Sequence, residues 1–550
     1  MEYHNPHLNL SNCVNFKYGL LTKKYDKYFI DSEELENNRG IDGDIVYYIE
    51  DKVVAIKERK NILISGILHL NSNQKYGFTS KNVPYYKFTS LSNKYPSFIV
   101  PSKSKEKKAL YCVIKLNKWE TKNRNPIGQI EYMIGEVGNM ENETTILLYK
   151  NNILPKKSKI CYNNKSVSVS DLKVNIDYYT FSIDPKGCSD IDDALHFKKL
   201  DKNKYEIGIH IAHVARYVED ISTNFFSSVY LKDKQINMLS DKYSFDICSL
   251  GNGEPKYALS LILNYENNII VSKKFIKTVI FNKAKSYNDV DNIIKNKIQG
   301  PIFDLYKFTR TLTNNFDLVS TKLVEYYMLL YNSLFAEILY KYSKNTILRV
   351  HKSVNFNNEC KNISTGLNEY LNRINQNSAQ YVTDPTITHH ESLDLKYYTH
   401  ATSPIRRYVD IINQMNMEKY FKKENINIEN KIENINIFQK NLRKFYNNYK
   451  KVEYIFNMTP VELRAYIVDI DGLKIKIYIP EMDIEHNFLA ISPKLVESNT
   501  VESTENYIII NQTRLDVMDS IKILITPLKY EEKFNNKLNV KLIEPEITFR

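Results

Sequence analysis

Over the first 170 residues, hydrophobic and polar positions alternate in short runs. Asp44 to Ile49, Asn61 to Leu70, Ala109 to Leu116 and Thr144 to Tyr149 read as strands, separated by turns rich in Gly, Asn, Pro and Ser. Strands this short and this regularly spaced predict small barrels of the oligonucleotide-binding (OB) type. Leu154 to Ser170, with Pro155 and several Lys and Ser, reads as a linker. Beyond it the periodicity becomes mixed. Tyr205 to Val218 has the β-branched alternation of a strand. Thr321 to Tyr342 carries Leu323, Met328, Leu330, Leu334 and Ile338 without Gly or Pro and predicts a core helix. Asn430 to Val452 is polar and Lys/Asn-rich, a helix leading out of the domain. From Leu463 the strand pattern returns and predicts a further barrel at the C-terminus. The expected fold class is multidomain α+β: small N-terminal β-barrels, a central α+β domain and a C-terminal β-barrel.

Charge changes this picture more than composition does. The 76 Lys and Arg against 64 Asp and Glu give a net of +12 over 550 residues. Residues 51–170 alone hold 21 basic and 8 acidic residues, a net of +13, while residues 1–50 hold 5 basic and 9 acidic. A local excess of that size suits a surface that tracks phosphates, because each neutralised phosphate releases condensed counterion. The 42 Tyr accompany abundant Asn, Lys and Ile, so they reflect coding bias as readily as base stacking. The six Cys (Cys13, Cys112, Cys161, Cys188, Cys248, Cys360) form no CxxC pair, which argues against a disulfide framework or a thiolate zinc site. No apolar run approaches the ~18 residues of a membrane span, and the N-terminus lacks the layout of a secretory signal. The expectation is an intracellular chain, cytoplasmic or nuclear, with no membrane partner.

The candidate chemistry lies in DPKGCSDIDD, Asp184 to Asp193. Asp184, Asp190, Asp192 and Asp193 follow a predicted strand, and Pro185 and Gly187 turn the chain so that the carboxylates can converge. Convergent like charges raise one another's pKa unless a divalent cation neutralises them. Mg²⁺ is the natural partner, since it is shared with substrate phosphates more often than caged by protein, and Mn²⁺ is a substitute. An exposed acidic turn is the plain alternative for these residues alone.

FSIDPKGCSDIDDALH closely resembles the signature of the ribonuclease II/R family catalytic (RNB) domain, exosome-type branch. IGIHIAHVARYV, SVYLKDKQINML, ICSLGNGEPKYALS, LVEYYMLLYN and YTHATSPIRRYVD agree in the same order. NRGIDGDIV resembles the first cold-shock-type barrel, GEVGNMENETTILLYKNN the end of the second, and KLNVKLIEPEI the close of the C-terminal RNA-binding barrel. The resemblance implies cold-shock-type OB barrels at 1–60 and 61–170 (the latter with the linker), an RNB catalytic domain at 171–454 and a C-terminal OB barrel at 455–550. It further implies a processive, hydrolytic 3′→5′ exoribonuclease that acts as a monomer on single-stranded RNA and releases nucleoside 5′-monophosphates.

By the same resemblance, Asp184, Asp190, Asp192 and Asp193 form the Mg²⁺ site, with Asp192, Asp193 and Arg406 in the chemistry. Tyr230 stacks on a base. Tyr287 and Glu325 set the 3′ nucleotide, Glu325 sharing a helix face with Asn332. Arg407 and His400 line the RNA, with Tyr398 and His351 nearby. The chain departs from the family at His213, where Asp is usual, and at Asn413-Gln414, where His-Arg is common; this puts rate in doubt more than activity. The N-terminal endonuclease domain of exosome-bound members is missing, which leaves docking on an exosome core open. A catalytically weakened RNA-binding relative is the alternative function, and a Mg²⁺ endonuclease or small-substrate phosphodiesterase is a weaker one.

Overall fold

The computed structural model describes residues 16–24, 27–119, 123–153, 159–162, 173–174, 179–352, 370, 378–383, 386, 388–426 and 431–547. Residues up to Leu154 and from Lys440 onward form one compact unit, and most of the intervening chain forms a second.

The first unit is strand-rich. Two three-stranded sheets, Lys17–Leu20 with Ile45–Ile49 and Lys52–Glu58, and Thr22–Lys24 with Lys27–Ile30 and Glu33–Leu35, enclose Leu21, Ile30, Leu35, Val46 and Val53. Ile64–His69, Tyr85–Ser90, Phe98–Pro101, Ala109–Lys118 and Ile127–Glu136 close a five-stranded barrel on a core that includes Leu68, Phe88, Phe98, Val100 and Ile114. Gly66 is required in that wall, because a Cβ there would meet the Phe88 ring at 2.2 Å and the Thr89 carbonyl at 2.4 Å. At the C-terminus, Val461–Asp471, Lys474–Ile479, Ile484–Leu489, Ser520–Pro527 and Leu538–Glu544 make a five-stranded sheet with its own isoleucine-rich core, accompanied by a small sheet over Val501–Ser503, Tyr507–Ile510 and Thr513–Asp516.

Thr144 to Tyr149, expected as a strand, is instead part of helix α1, Met140–Lys150. Asn139 caps it by accepting from the N–H groups of Glu141 and Asn142, and Glu141 and Glu143 place negative charge in its first turn. Its buried positions, Glu143, Thr144, Ile146, Leu147 and Leu148, follow helical spacing. The apolar run hid this start signal.

The second unit is built on a seven-stranded sheet in the order Lys173–Val174, Ile269–Ile280, Lys256–Glu266, Lys204–Ala212, Asp193–Asp201, Thr180–Asp184, Asn282–Ser286. Helices α2 (Tyr287–Lys295), α3 (Pro301–Thr313), α4 (Ser320–Tyr342) and α5 (Tyr408–Lys422) pack with it around Phe181, Ile209, Leu261, Tyr327, Tyr331, Phe335 and Met417. Helix α6, Ile432–Asn457, runs from this unit into the other.

The strand expected to reach Val218 ends at Ala212. Its ladder partner begins only at Lys256, so the chain turns through Val214–Arg216 and resumes as Val218–Ser222, paired with Lys159–Tyr162. Most of the linker expected over Leu154 to Ser170 lies outside the described residues. Thr180–Asp184 runs parallel to Asn282–Ser286, with Asp184 opposite Ser286. This pairing brings the carboxylate turn and the start of α2 to one edge, the carboxyl ends of two strands. Among the described residues no helix is long and apolar enough to cross a membrane.

Candidate active site

The turn after Asp184 is held on both sides. Gly187 takes φ +84° and the Cys188 N–H donates to the Pro185 carbonyl at 3.0 Å. The Ser249 hydroxyl bridges the far side, donating to the Ser189 carbonyl at 2.7 Å and accepting from the Ile191 N–H at 3.0 Å. The carboxylates are therefore set on fixed backbone.

Their surroundings differ. Asp190 is buried and accepts from the Tyr230 hydroxyl and from Gln235 Nε2 at 2.9 Å. Asp192, also buried, accepts from the Ile405 N–H at 2.9 Å and from Arg406 Nε at 3.2 Å. Asp184 Oδ2 is buried with no hydrogen-bond partner. Burial raises the Asp184 carboxyl to about 6 and Asp192 to about 7, with Asp190 adding to both and Arg406 opposing. Asp193 is pushed well above the usual range by burial and then by Asp184 and Asp192. Each of these groups is costly as an anion in the protein alone.

Arg406 is shaped by its own segment. Its Nη2 donates to the Ser403 hydroxyl at 2.9 Å, and the Ser403 N–H donates to Asp410 at 2.7 Å. The Arg406 carbonyl accepts from the Ser227 hydroxyl and the Ser228 N–H, both at 3.0 Å, tying this segment to the one that carries Tyr230. Arg407 turns onto Asp410 at 2.9 Å. Tyr287 opens α2 behind a capping box of Ser286 and Asp289. Its phenol is raised by burial, then by the Asp193 and Asp184 carboxylates that it faces. His400 is bonded to the Tyr381 hydroxyl at 2.6 Å, and burial holds it well below its ordinary pKa.

The structure thus gathers Asp184, Asp190, Asp192, Asp193, Arg406, Tyr230 and Tyr287. It does not gather Glu325, which is exposed and paired with Lys322 at 2.6 Å. Asn332, expected on the same helix face, is buried instead. It braces the 398–402 segment, accepting from the Ala401 N–H at 2.8 Å and reaching Thr402 Oγ1 at 3.3 Å. Seven residues fall only about 20° short of two turns, so spacing alone does not separate exposed Glu325 from buried Asn332, both inside α4. Gln235 lies inside SVYLKDKQINML, and Ser403 and Asp410 inside YTHATSPIRRYVD, yet none was singled out, since each acts through a neighbouring functional side chain.

The departures prove to be neighbours. His213 Nε2 lies 2.9 Å from Glu418, which also pairs with Lys277. Gln414 accepts from the Ala215 N–H at 3.1 Å and donates to the Ala212 carbonyl at 2.8 Å, bracketing His213. The Ala212 N–H in turn donates to the Asp192 carbonyl at 2.8 Å.

Among the described residues, no three His, Cys, Asp or Glu side chains stand close enough to hold an ion unaided. Mg²⁺ commonly takes one or two carboxylates and completes its shell with water and phosphate oxygens. The unpartnered Asp184 oxygen and the mutually raised carboxyls fit that kind of site.

The family model for the RNB domain matches residues 174–315 and 302–423. The chain carries an RNB domain. A second model, the Dis3-like cold-shock domain 2 (CSD2), matches residues 85–152, which include four strands of the closed barrel and α1. The chain is similar to the "Probable exosome complex exonuclease RRP44" of Caenorhabditis elegans, 28% identical over 396 residues, 54% of this chain and 41% of that protein. It therefore spans about two fifths of that relative's length. Among solved structures, Mycoplasma genitalium RNase R in complex with ribose methylated single-stranded RNA superposes with TM-score 0.74 at 17% identity, covering 96% of this chain and 100% of that one. Yeast Ssd1, a pseudonuclease, superposes with TM-score 0.67 at 14% identity, covering 96% and 97%. At these identities the superpositions speak for the fold around the RNB domain.

Proposed function

We propose that this protein is a Mg²⁺-dependent, processive, hydrolytic 3′→5′ exoribonuclease that shortens single-stranded RNA to nucleoside 5′-monophosphates. One observation carries the reading: Asp192, within the crowded carboxylates, accepts from the Ile405 N–H and from Arg406, more than 200 residues along the chain. That contact sets an anion-binding guanidinium beside a cation-binding cluster, the pairing that phosphodiester hydrolysis needs.

Asp184, Asp190, Asp192 and Asp193 would hold the metal. When bound, Mg²⁺ supplies an activated water and charge neutralisation at the leaving oxygen. The chain's own groups do the rest. Arg406, oriented by Asp192 and Ser403, turns its remaining donors to a phosphate and stabilises charge that develops there. Tyr230, 38% exposed with its hydroxyl fixed on Asp190, offers a ring face for a base. Tyr287 borders the terminal nucleotide, and Arg407 and His400 support the segment that carries Arg406. The basic stretch 51–170 attracts the strand.

The competing reading, RNA binding without turnover, draws on the lack of a preformed three-ligand group among the described residues. One assay separates the two. With 5′-labelled single-stranded RNA and Mg²⁺, a ladder descending to short 5′ oligomers is expected, absent with the DNA analogue and with Asp192→Asn. Binding without shortening would overturn the proposal, and internal cuts would point to an endonuclease.

A further inference from the structure

Beside the carboxylates lies a second feature that the reaction above does not use. A cavity of about 340 Å³ is walled on one side by the turn from Asp184 to Cys188 and on the other by Ala284 to Asp289. The parallel pairing of Asp184 with Ser286 makes these walls adjacent, so the cavity shares Asp184 with the catalytic cluster. Two lysines line it, Lys186 from the turn and Lys285 from the end of the neighbouring strand. Both act on the Asp289 carboxylate, so both charges bear on one mouth. The α2 terminus is closed by its own capping box, which leaves the lysines as the cationic element. Asn288 adds a hydrogen-bonding group.

We propose that this cavity receives the phosphate of the released nucleoside 5′-monophosphate and draws the product off the carboxylate site. The inference rests on the exoribonuclease reading. In that reaction water adds to phosphorus, the bond from phosphorus to the 3′ oxygen breaks, and that oxygen takes up a proton. The shortened RNA keeps a 3′ hydroxyl and the released nucleotide carries the phosphate. The phosphate has then passed from a diester with one negative charge to a monoester whose second pKa is about 6, nearly doubly charged at neutral pH. Lys186 and Lys285 attract the product more strongly than the substrate. The charge created by hydrolysis itself therefore biases the nucleotide toward the lysines. Asp289 moderates the pair and keeps the product from being retained.

The test uses the full chain, AMP as the probe and the double variant Lys186→Gln/Lys285→Gln. AMP binding is measured by calorimetry with and without Mg²⁺, next to adenosine and to a charge-matched control, Lys199→Gln/Lys202→Gln, on an exposed hairpin of the same unit. The double variant should weaken AMP binding about tenfold and raise the AMP inhibition constant for RNA shortening to match. Adenosine binding and the single-turnover cleavage rate should stay within twofold. Lys186→Arg/Lys285→Arg should restore AMP binding. AMP binding that is indifferent to the two lysines, or lost equally in the control, would overturn the cavity assignment while RNA shortening still stood. Lysine-dependent AMP binding in a protein that shortens no RNA would overturn the exoribonuclease reading instead.

Discussion

Glu143 and Lys537 are both fully buried and lie 3.0 Å apart in the barrel unit. Tyr111 donates to the second Glu143 oxygen at 2.8 Å, the Gly138 N–H donates to the first at 3.2 Å, and Lys537 also reaches the Lys529 carbonyl at 2.8 Å. In the RNB domain, four carboxylates act on one another electrostatically, one of them touches a guanidinium, and one buried oxygen has no partner. Both centres bury charge. The first closes its own hydrogen bonds and fastens α1 to the loop before the last strand; the second leaves its electrostatics open to something the chain does not contain. A buried charge that is answered internally holds the fold together. One left unanswered is open to a ligand. On the proposed function the raised carboxyls belong to this second kind, and the ion pair belongs to the first.

The sharpest way to break this comparison is to neutralise one member of each centre. Asp192→Asn should lower RNA shortening on the order of 10³-fold, since it disturbs both the metal donors and the hold on Arg406. It should cost the metal-free protein only about 1 kcal/mol, because relief of like-charge repulsion offsets the one acceptor lost when the amide keeps the Ile405 N–H but not Arg406. Thermal melts add a second reading. Mg²⁺ at a hundredfold excess over its Kd should stabilise the native chain by about 2.7 kcal/mol and the variant by far less. A variant that melts early, or that still shortens RNA, breaks the contrast.

The opposite behaviour is expected at the ion pair. Glu143→Gln and Lys537→Met should each destabilise the protein by about 3–5 kcal/mol, because the remaining charge stays buried without its partner. Glu143→Leu with Lys537→Met should recover most of that loss. Denaturant melts of the three variants decide it, and equal losses in single and double variants would refute the account.

How far the sequence carried the site follows from the same distinction. That the carboxylate turn, Arg406, Tyr230 and Tyr287 come together was legible because their residue types and order are contiguous motifs. The split between exposed Glu325 and buried Asn332 was not legible, as helical spacing cannot say which of two residues seven apart faces the core. Glu143 and Lys537 were not legible as a pair for the converse reason: nearly 400 residues separate the segments that carry them, GEVGNMENETTILLYKNN and KLNVKLIEPEI, and the helix that carries Glu143 read as a strand. The barrels themselves were legible from strand spacing, but the end of the strand at Ala212 depended on where its ladder partner begins.

A third kind of buried group extends the comparison to pH. His486, in the C-terminal sheet, is held neutral, lowered to about 4 by burial and then by Lys451. Its neutral form is favoured in the fold, while the unfolded chain protonates it below about 6.5. The stability it preserves is therefore complete above pH 6.5 and is lost progressively as pH falls to about 4. The loss is about 3 kcal/mol in all. His486→Phe should flatten that part of the stability profile, and an unchanged slope would remove His486 from the account.

The finest test uses one deleted hydroxyl in each centre. Tyr111 and Tyr230 both donate to a buried carboxylate, Glu143 and Asp190 respectively. Tyr111 is buried, so Tyr111→Phe strands a Glu143 oxygen where no water can replace the bond and should cost about 1–3 kcal/mol. Tyr230 stands at a partly open surface, and Asp190 keeps Gln235 at 2.9 Å. Tyr230→Phe should therefore cost under about 1 kcal/mol. The ring proposed to stack on a base remains, so RNA affinity should hold, whereas Tyr230→Ala should lose about 1–3 kcal/mol of binding. Paired denaturant melts and RNA titrations of the three variants give the answer. Equal stability losses from the two Phe substitutions would mean that Asp190 is answered by the chain as fully as Glu143 is, and the line drawn between the two centres would have to move.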